Sequence, residues 1–252
     1  MAKRDEIVAN LNEYYCVDKI HDYCPHGLQV EGTEDISTIV TGVSCSLALF
    51  EAAVAKGAQM IVVHHGLIWD RDPRRIVGVQ RKRLKVLFDN DINLVAYHLP
   101  MDAHPEIGHS VLIGKDMGLS DVEPFGDYKG IALGAKGHYP TPMDASEVAK
   151  AVTKACGREA LVLGPQDKKI STVGIASGGG ADMIGQAADA SLDCFISGEA
   201  KENTQAFCHE AGIVFIEAGH YNSEKPGVIA LGELMKERFS VNVHFVDLPN
   251  PI

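Results

Sequence analysis

The chain has 252 residues, of which 46% are hydrophobic, and its formal net charge is −11. That length and hydrophobic fraction suffice for one large or two small domains with buried cores. The acidic balance argues against a general binder of nucleic acid or anionic membranes, because both partners require a basic surface.

The N-terminus and the cysteines predict a soluble protein of the cytoplasm. The first residues lead into an amphipathic helix and carry no apolar signal segment. No run approaches the roughly 18 apolar residues that span a membrane. The six cysteines are scattered without Cys-x-x-Cys spacing, which favours buried thiols in a reducing compartment. We therefore expect a cytoplasmic globular protein with no membrane partner.

Apolar patterns in the first half predict strands that alternate with helices. The expected helices cover residues 5–15, a segment capped by Ser44 or Ser46 that runs to residue 56, and residues 83–90 and 105–117. Residues 22–30 carry turn chemistry that runs into a short extended piece. The expected strands cover residues 37–43, the run that ends at His64 and His65, and 92–97.

The second half continues the alternation, which indicates an α/β protein. Its expected strands cover residues 131–135, 160–163, 171–176, a run that ends at Glu199, 213–218 and 241–246. Its expected helices cover residues 144–156, 181–190, 202–211 and a last helix that begins near Pro226.

A short β-branched run, residues 61–63, ends in His64 and His65, which Gly66 follows. Such a run is typical of a buried strand, with polar residues where the loop leaves the sheet. Consecutive side chains of a strand point to opposite faces, so both histidines reach one site only if Gly66 permits a turn. Two neutral imidazoles there suit a divalent metal, although isolated histidines are more often ordinary core or surface residues.

The two halves of the chain resemble each other, which predicts an internal duplication. Ser37-Thr38-Ile39 aligns with Ser171-Thr172-Val173, and the same offset places His64-His65 on Gly198-Glu199. We therefore predict two interlinked α/β half-domains of similar topology, whose sheets are flanked by helices. Their predicted extents are residues 1–125 and 126–252, with an exchange of terminal segments left open.

The next strand of each half is followed by a histidine and, four residues later, a carboxylate. The first pair is His98 with Asp102, and the second is His220 with Glu224. We align the two pairs with each other, and Pro226 favours a loop rather than a helix for the second pair. Ordinary roles stay open, namely a loop hydrogen bond between His98 and Asp102 and a helix N-terminal charge for Glu224.

Two half-domains related by a pseudo-twofold axis would direct their strand ends at one cleft. Six possible ligands would then converge: His64, His65, His98, Asp102, His220 and Glu224. Imidazole and carboxylate without thiolate suit Zn, Mn, Fe or Ni. Six donors exceed what one tetrahedral ion takes, so we predict two ions bridged by a carboxylate, for which we choose Glu224.

Four ordered motifs support this interpretation: Gly27-Leu28-Gln29-Val30, His64-His65-Gly66, His98-Leu99-Pro100-Met101-Asp102-Ala103-His104 and Gly219-His220-Tyr221-x-Ser223-Glu224. Together they resemble the NIF-three-like family, whose bacterial members are often labelled GTP cyclohydrolase 1 type 2 homologs. The resemblance implies two interlinked α/β halves, a toroidal homohexamer and two divalent metal ions per chain at a site facing the central hole. Some members insert an extra domain between the halves, which we do not expect here.

Matched by position, the resemblance implies a specific set of metal ligands. His65 and Asp102 would hold one ion, His64 and His220 would hold the other, and Glu224 would bridge both.

Two further histidines, His98 and His104, have no firm ligand role in the family pattern. We expect each to orient a ligand or a bound water.

Two ions about 3.5–4 Å apart bring the pKa of a bridging water near neutrality and polarise a substrate oxygen. We therefore expect hydrolysis of an amide, cyclic amidine or phosphoester bond in a small molecule, with nucleotides among the candidates. The family label suggests opening of the guanine ring of GTP. One basic cluster near the site could hold phosphates, although a solvated loop explains it equally well: Arg71, Arg74, Arg75, Arg81, Lys82 and Arg83.

A non-enzymatic function is the alternative, namely a metal-binding ring that acts as a scaffold for proteins or nucleic acid, or a metal store. The negative charge weighs against nucleic acid. Five side chains for two ions leave both under-coordinated, which favours catalysis. We discount a phosphate role for Gly178-Gly179-Gly180, because it lacks the spacing and lysine of a P-loop.

Overall fold

The computed structural model describes residues 1–252, and its internal contacts divide the chain into two compact units. Unit 1 comprises Met1–Met101 and Val228–Pro249, and unit 2 comprises Asp102–Gly227 and Asn250–Ile252. The half-domain boundary at residue 125 stays a prediction. No helix of either unit is both long and apolar enough to cross a membrane.

Strands and helices alternate along the chain. The strands are β1 (Ala2–Lys3), β2 (Gly27–Val30), β3 (Asp35–Ile36), β4 (Thr38–Ser44), β5 (Met60–His65), β6 (Asn93–Ala96), β7 (Ser120–Tyr128), β8 (Ile131–Asp144), β9 (Leu161–Leu163), β10 (Lys169–Ala176), β11 (Cys194–Ser197), β12 (Val214–Glu217) and β13 (Asn242–Phe245). The α-helices are α1 (Arg4–Tyr14), α2 (Leu47–Ala55), α3 (Gly78–Asp89), α4 (Leu99–Asp102), α5 (His109–Asp116), α6 (Ala145–Cys156), α7 (Ile184–Asp189), α8 (Thr204–Ala211), α9 (His220–Ser223) and α10 (Lys225–Phe239), with 3₁₀ turns at Val17–Lys19 and Gly180–Met183.

Unit 1 is built on a five-stranded sheet in the order β13-β4-β5-β6-β2. The first four strands are parallel and β2 is antiparallel. One face packs on α2, whose Leu49 and Phe50 share one buried cluster with Ile61 and Val63 of β5. Because both faces are covered, β5 shows a continuous apolar run rather than an alternating one.

Unit 2 is built on a six-stranded sheet in the order β7-β8-β10-β11-β12-β9. Its central strands β10, β11 and β12 are parallel, while β8 and β9 are antiparallel. Alternate residues of β11 separate into two cores: Cys194 and Ile196 pack in one cluster with Val148, and Phe195 packs in the other with Cys208. The mixed α/β architecture with helices against the sheets is therefore confirmed.

The two sheets share a strand order, since β4-β5-β6-β2 of unit 1 matches β10-β11-β12-β9 of unit 2. In both units, the side chain of the residue just before the second strand of this order (β5 or β11) accepts hydrogen bonds from two consecutive backbone amides. Gln59 Oε1 accepts from the amides of Ser37 and Thr38 at 3.0 and 2.9 Å. Asp193 Oδ2 accepts from the amides of Ser171 and Thr172, both at 3.0 Å. The half-domains thus have similar topology, as the sequence predicts.

The predicted alignment of His98 with His220 is wrong by one residue. The amide of Tyr97 donates to Val63 O at 3.1 Å, and the amide of Ala218 donates to Ser197 O at 2.8 Å. Tyr97 and Ala218 are therefore equivalent, and Gly219 takes the place of His98. Matching side chains by type misses this shift, because His98 and His220 follow the equivalent residues of their strands at distances that differ by one residue.

Unit 2 also departs from the expected elements at its sheet edge. The strand expected at residues 131–135 is the 14-residue β8, and it pairs with β7, which the sequence pattern did not predict. Only Gly126 of β7 is buried, and the strand contains Pro124, which is tolerated at a sheet edge and weakens the pattern of a strand. The predicted helix 181–190 divides into a 3₁₀ turn, Gly180–Met183, and α7.

The cysteines are free thiols. Five of them are buried and Cys16 is exposed. This agrees with the expectation of buried thiols for all but Cys16.

Candidate metal centre

His64 and His65 close β5, and the turn after them is built by a distant glutamine. The Oε1 atom of Gln29 accepts from the amides of Leu67 at 2.8 Å and Ile68 at 3.2 Å. A side chain on Gly66 would overlap the Gln29 amide, so a larger residue there would displace Gln29 from this turn. The two imidazole rings lie 4.6 Å apart between centroids although they are consecutive in a strand.

His98 completes a group of three histidines within unit 1. Its ring centroid lies 5.0 Å from that of His64 and 5.5 Å from that of His65. Each of the three offers a ring nitrogen, and these nitrogens lie within 4.8 Å of one another. His64 is fully buried and His98 is 7% exposed. The rings are therefore held in place before any ion binds.

A buried carboxylate, Asp22, orients His98. Nδ1 of His98 donates to both carboxylate oxygens at 3.1 Å, and the amide of Leu99 donates to Oδ2 at 2.8 Å. Burial raises the pKa of Asp22, but the hydrogen bonds from His98 and from the amides of Leu99 and Cys24 outweigh it and hold the pKa below its ordinary value. Asp22 is therefore an ionised anchor for the ring of His98 and for the start of α4.

Asp102 is the last residue of α4 and belongs to unit 2. The hydroxyl of Ser177 donates to Asp102 Oδ1 at 3.4 Å, and the amide of Ser177 donates to Ser110 Oγ at 3.1 Å. Asp102 and His109 each offer a ligand atom within 4.8 Å of the other. Ser177 thus contacts the predicted ligand Asp102.

His220 and Glu224 lie in a helical turn rather than in the predicted loop. α9 begins at His220, and Glu224 follows its last residue, so Pro226 is the second residue of α10 and does not prevent helix at His220. Nε2 of His220 lies 3.1 Å from Glu224 Oε1. The spacing of four residues therefore places both side chains on one side of the turn.

A second carboxylate, Glu199, holds the other nitrogen of His220. Nδ1 of His220 lies 2.5 Å from Glu199 Oε1. Burial lowers the pKa of His220, but Glu224 and Glu199 raise it more, to about 9. Without a metal, this imidazole is therefore protonated at neutral pH, and a metal ion must displace that proton.

The triple glycine of unit 2 shapes the surroundings of Glu224. Gly178 has a φ of +57°, and a Cβ there would overlap Glu224 Oε1 and lie 3.1 Å from His220 Nε2. Its amide donates to Ser223 Oγ at 2.9 Å. Gly178 therefore provides the space that the carboxylate and the imidazole occupy, which is a different role from a phosphate-binding loop.

His104 lies in the turn before α5. Its Nδ1 accepts from the amides of Glu106 at 3.2 Å and Ile107 at 3.3 Å. The structure thus assigns His104 a hydrogen-bonding role in its turn.

The basic residues Arg71, Arg74 and Arg75 lie in the exposed segment between β5 and α3.

Pattern reasoning missed the residues that support the predicted ligands: Asp22, Gly178, Glu199, Ser223, and Ser44, whose hydroxyl lies 2.9 Å from Nδ1 of His65. Glu199 had a signal, since it falls on His65 when the halves are aligned. No sequence signal pointed to Asp22, because it lies in an ordinary turn and is separated from His98 by 76 residues in sequence.

The donor set of each unit fits a divalent transition metal. The Nδ1 atoms of His64, His98 and His220 lie against Tyr97 O, Asp22 and Glu199 respectively. A metal-binding histidine typically donates its other ring N–H to a carbonyl or carboxylate in this way, which leaves Nε2 for the metal. No thiolate is involved, so Zn, Mn, Fe and Ni all remain suitable.

Comparisons with known proteins agree over nearly the whole chain. The family model for Duf34/NIF3 (NGG1p interacting factor 3) matches residues 2–251. A protein of Vibrio cholerae called GTP cyclohydrolase 1 type 2 homolog is 40% identical over 250 residues, which is 98% of each chain. The protein of that name from Escherichia coli K12 is 38% identical and covers 99% of each chain.

Two solved structures are similar to this fold. The structure described as protein ybgI, of unknown function, has a TM-score of 0.93 at 38% identity and covers 99% of this chain and 100% of its own. TTHA1606 from Thermus thermophilus has a TM-score of 0.89 at 34% identity, with the same coverage.

Proposed function

The chain belongs to the Duf34/NIF3 family, and on that premise we propose that it is a dinuclear divalent-metal protein that hydrolyses a nucleotide or a related small molecule. The observation that carries the proposal is that two histidines of the proposed ligand set, His64 and His220, have their Nδ1 atoms held by oxygen acceptors. This arrangement prepares Nε2 for a metal ion.

The ligand set that we propose contains five side chains. His65 and Asp102 bind one ion, His64 and His220 bind the other, and Glu224 bridges the two. Support comes from the approach of Nε2 of His220 to Glu224 Oε1 at 3.1 Å and from the closeness of the His64 and His65 rings. Five donors leave coordination positions for water and substrate, which a catalytic site needs.

When bound, two divalent ions polarise a substrate oxygen and lower the pKa of a bound water. The residues of the chain contribute orientation: Asp22 fixes the ring of His98, Glu199 fixes that of His220, and Ser177 donates to Asp102. These contacts reduce the rearrangement that binding requires, which is the contribution a protein makes to such a site.

The name of the relatives, GTP cyclohydrolase 1 type 2 homolog, makes GTP the first substrate to test. Opening of its guanine ring is a hydrolysis of the class that we propose. The exposed arginines between β5 and α3, with Arg81, Lys82 and Arg83 of that helix, are our candidates for phosphate contacts, because guanidinium groups bind phosphate oxygens bidentately.

The test uses metal-free protein with and without added Zn, Mn, Fe or Ni, against a panel of nucleotides that includes GTP. We expect turnover only with metal, and loss of both metal and turnover in His65→Ala and Glu224→Ala. His138→Ala is the control, since its half-exposed ring lies against Asp121. If no ion restores turnover of any substrate, the hydrolase proposal fails.

The alternative is a non-enzymatic metal-binding scaffold, which the family description as an interacting factor favours. It predicts tightly held ions without turnover, and protein partners rather than nucleic acid, given the net charge of −11. The same nucleotide panel separates the two functions.

We also propose that the chain forms a homohexameric ring in the cytoplasm. Sedimentation equilibrium should then give a mass of six copies of the 27.1 kDa chain. A monomeric or dimeric mass across the accessible concentration range would contradict it.

A further inference from the structure

Three large apolar side chains of unit 1 reach the surface close to the end of β5. Tyr23 is 46% exposed and Ile68 is 38% exposed, while Trp69 is partly buried. The rings of Tyr23 and Trp69 lie 5.6 Å apart between centroids, with an angle of 35° between their planes. Exposed apolar side chains that cluster in this way are typical of ligand-binding surfaces.

The fold holds this aromatic pair, Tyr23 and Trp69, in a fixed orientation. Trp69 packs against the buried cluster of the unit 1 sheet, and its Nε1 donates to Gly66 O at 2.9 Å. The amide of Trp69 donates to Asp72 Oδ2 at 2.9 Å, and the amide of Asp70 donates to Tyr23 O at 2.9 Å. The phenol ring therefore rests on a fixed support while nearly half of its residue surface meets solvent.

The aromatic pair adjoins the proposed metal centre without belonging to it. The ring centroid of Trp69 lies 6.1 Å from that of His65, and the ring of Tyr23 meets that of His98 edge-on at 5.2 Å. His65 is one of the five proposed ligands and is partly exposed. A planar ring that lies on Tyr23 would therefore lie beside the ion that His65 binds.

A basic segment begins directly after the aromatic pair. Arg71, Arg74 and Arg75 follow Trp69 by two, five and six residues, and all three are exposed. In a chain with a net charge of −11, this local positive charge favours an anionic ligand. An aromatic face for a base and guanidinium groups for phosphates are the contacts that a nucleotide requires.

We propose that Tyr23 and Trp69 form the subsite for the base of a nucleotide: the base stacks on Tyr23, and Trp69 supports the phenol ring from behind. The inference rests on the proposed function and deepens it, because it names the part of the substrate that unit 1 binds outside the metal ligands. Stacking recognises the flat face that every base has. A sugar phosphate without a base should therefore bind more weakly than a nucleotide.

The fluorescence of Trp69 tests the subsite directly, because it is the only tryptophan of the chain. The full-length wild type, loaded with Zn²⁺, is titrated with GMP and with ribose 5-phosphate, which differ only in the base. N-acetyltryptophanamide corrects for light that the base absorbs. We expect GMP to change the emission saturably and ribose 5-phosphate to leave it unchanged. No change with GMP, or an equal change with both compounds, would overturn the subsite.

Tyr23→Leu and Tyr23→Phe separate stacking from apolar bulk. Both variants keep a large apolar side chain, but only phenylalanine keeps a flat aromatic face. Equilibrium dialysis should show a GMP affinity lower by about 5-fold or more in Tyr23→Leu, the lower end of the loss usual for a stacked aromatic ring, and a wild-type affinity in Tyr23→Phe. The Zn²⁺ affinity of Tyr23→Leu should equal that of wild type. Equal GMP affinity in both variants would show that Tyr23 does not stack on the base.

Phe88→Leu is the matched control for the loss of an exposed aromatic ring in unit 1. Phe88 is 63% exposed and lies near the end of α3, which leads into β6. Because β6 runs parallel to β5, its start lies at the opposite edge of the sheet from His65, the last residue of β5. This variant should bind GMP as wild type does. A loss equal to that of Tyr23→Leu would contradict a specific subsite.

The outcomes distinguish this inference from the proposed function. GMP binding that depends on the ring of Tyr23, without metal-dependent turnover of any nucleotide, would support the base subsite and refute the hydrolase. Metal-dependent turnover together with GMP binding that Tyr23→Leu leaves unchanged would support the hydrolase and refute the base subsite.

Discussion

Gly178 and Glu224 approach so closely that a methyl group on Gly178 would overlap the carboxylate oxygen Oε1. Glu224 is only 3% exposed, so its carboxylate has little room to withdraw. Gly178 also has a φ of +57°, which a residue with a side chain adopts only at a cost. The backbone of one loop thus sets the position of the proposed bridging ligand.

Gly178→Ala should therefore displace Glu224 and weaken metal binding. We expect a Zn²⁺ affinity about 10–100-fold lower, similar to the loss of a ligand's supporting contact. The backbone strain should lower the free energy of unfolding by about 1–3 kcal/mol. Isothermal titration with Zn²⁺ and chemical denaturation measure the two effects.

Gly179→Ala is the matched control. A Cβ there would lie 3.8 Å from His220 Cε1, which is an ordinary contact. It should bind Zn²⁺ as wild type does. Equal affinity for both alanine variants would show that Gly178 does not position Glu224.

Glu199→Gln should weaken metal binding through His220. The amide cannot stabilise the Nδ1–H group as the carboxylate does, so affinity for the ion at His220 should fall by about 10–100-fold. In the metal-free protein the pKa of His220, raised to about 9, should move down. NMR titration of the imidazole measures this pKa, and Glu202→Gln, at an exposed position, is the control. An unchanged pKa in Glu199→Gln would contradict the contact.

Removal of metal should destabilise the protein, because an ion that binds only the folded state shifts the unfolding equilibrium. A single site at about 100-fold excess over Kd contributes about 2.7 kcal/mol. Chelator should therefore lower the Tm of wild type, and added Zn²⁺ should restore it. His65→Ala should respond less than His138→Ala, and a wild-type Tm that ignores both chelator and Zn²⁺ would refute the metal site.

Asp193→Asn should reduce the sensitivity of the protein to acid. Burial raises the pKa of Asp193, but the amides of Ser171 and Thr172 and the ammonium of Lys168 hold it below its ordinary value. The carboxylate therefore stabilises the fold fully above about pH 4, and this contribution is lost as the pH falls through the lowered pKa. Denaturation at neutral and acidic pH should show a smaller decline for the variant. An equal decline in both proteins would rule out this contribution.

The comparison with Gln59 explains why Asp193→Asn should still fold. Gln59 makes the corresponding two amide contacts in unit 1 with a neutral side chain. An amide oxygen is therefore sufficient for this feature. The variant should lose only the additional stabilisation that a charged acceptor gives over a neutral one. We expect this loss to be about 1–2 kcal/mol at neutral pH, by analogy with other hydrogen bonds to charged groups.

Local sequence was sufficient to predict the main strands and helices, and the polar residues that follow the ends of the strands. The run before His64 is apolar and β-branched because β5 is covered on both faces, and this signal lies within a few consecutive residues. The edge strand β7 was missed because it contains a proline and only one buried residue, so its sequence carries no such pattern. The helical turn at His220 was missed because Pro226 was taken as the helix start.

The α/β class, the repeated topology, the family and the imidazole and carboxylate chemistry of the proposed ligands follow from the sequence, since burial patterns and donor chemistry are local properties. Folding of the whole chain settles what local patterns leave open: the backbone pairing that makes Gly219 the counterpart of His98 in the other sheet, and the partners that hold each imidazole. Asp22 and His98 are 76 residues apart in sequence, and Gly178 and Ser223 are 45 apart. Such contacts leave no local pattern, because the residues that they join meet only after distant segments of the chain have packed together.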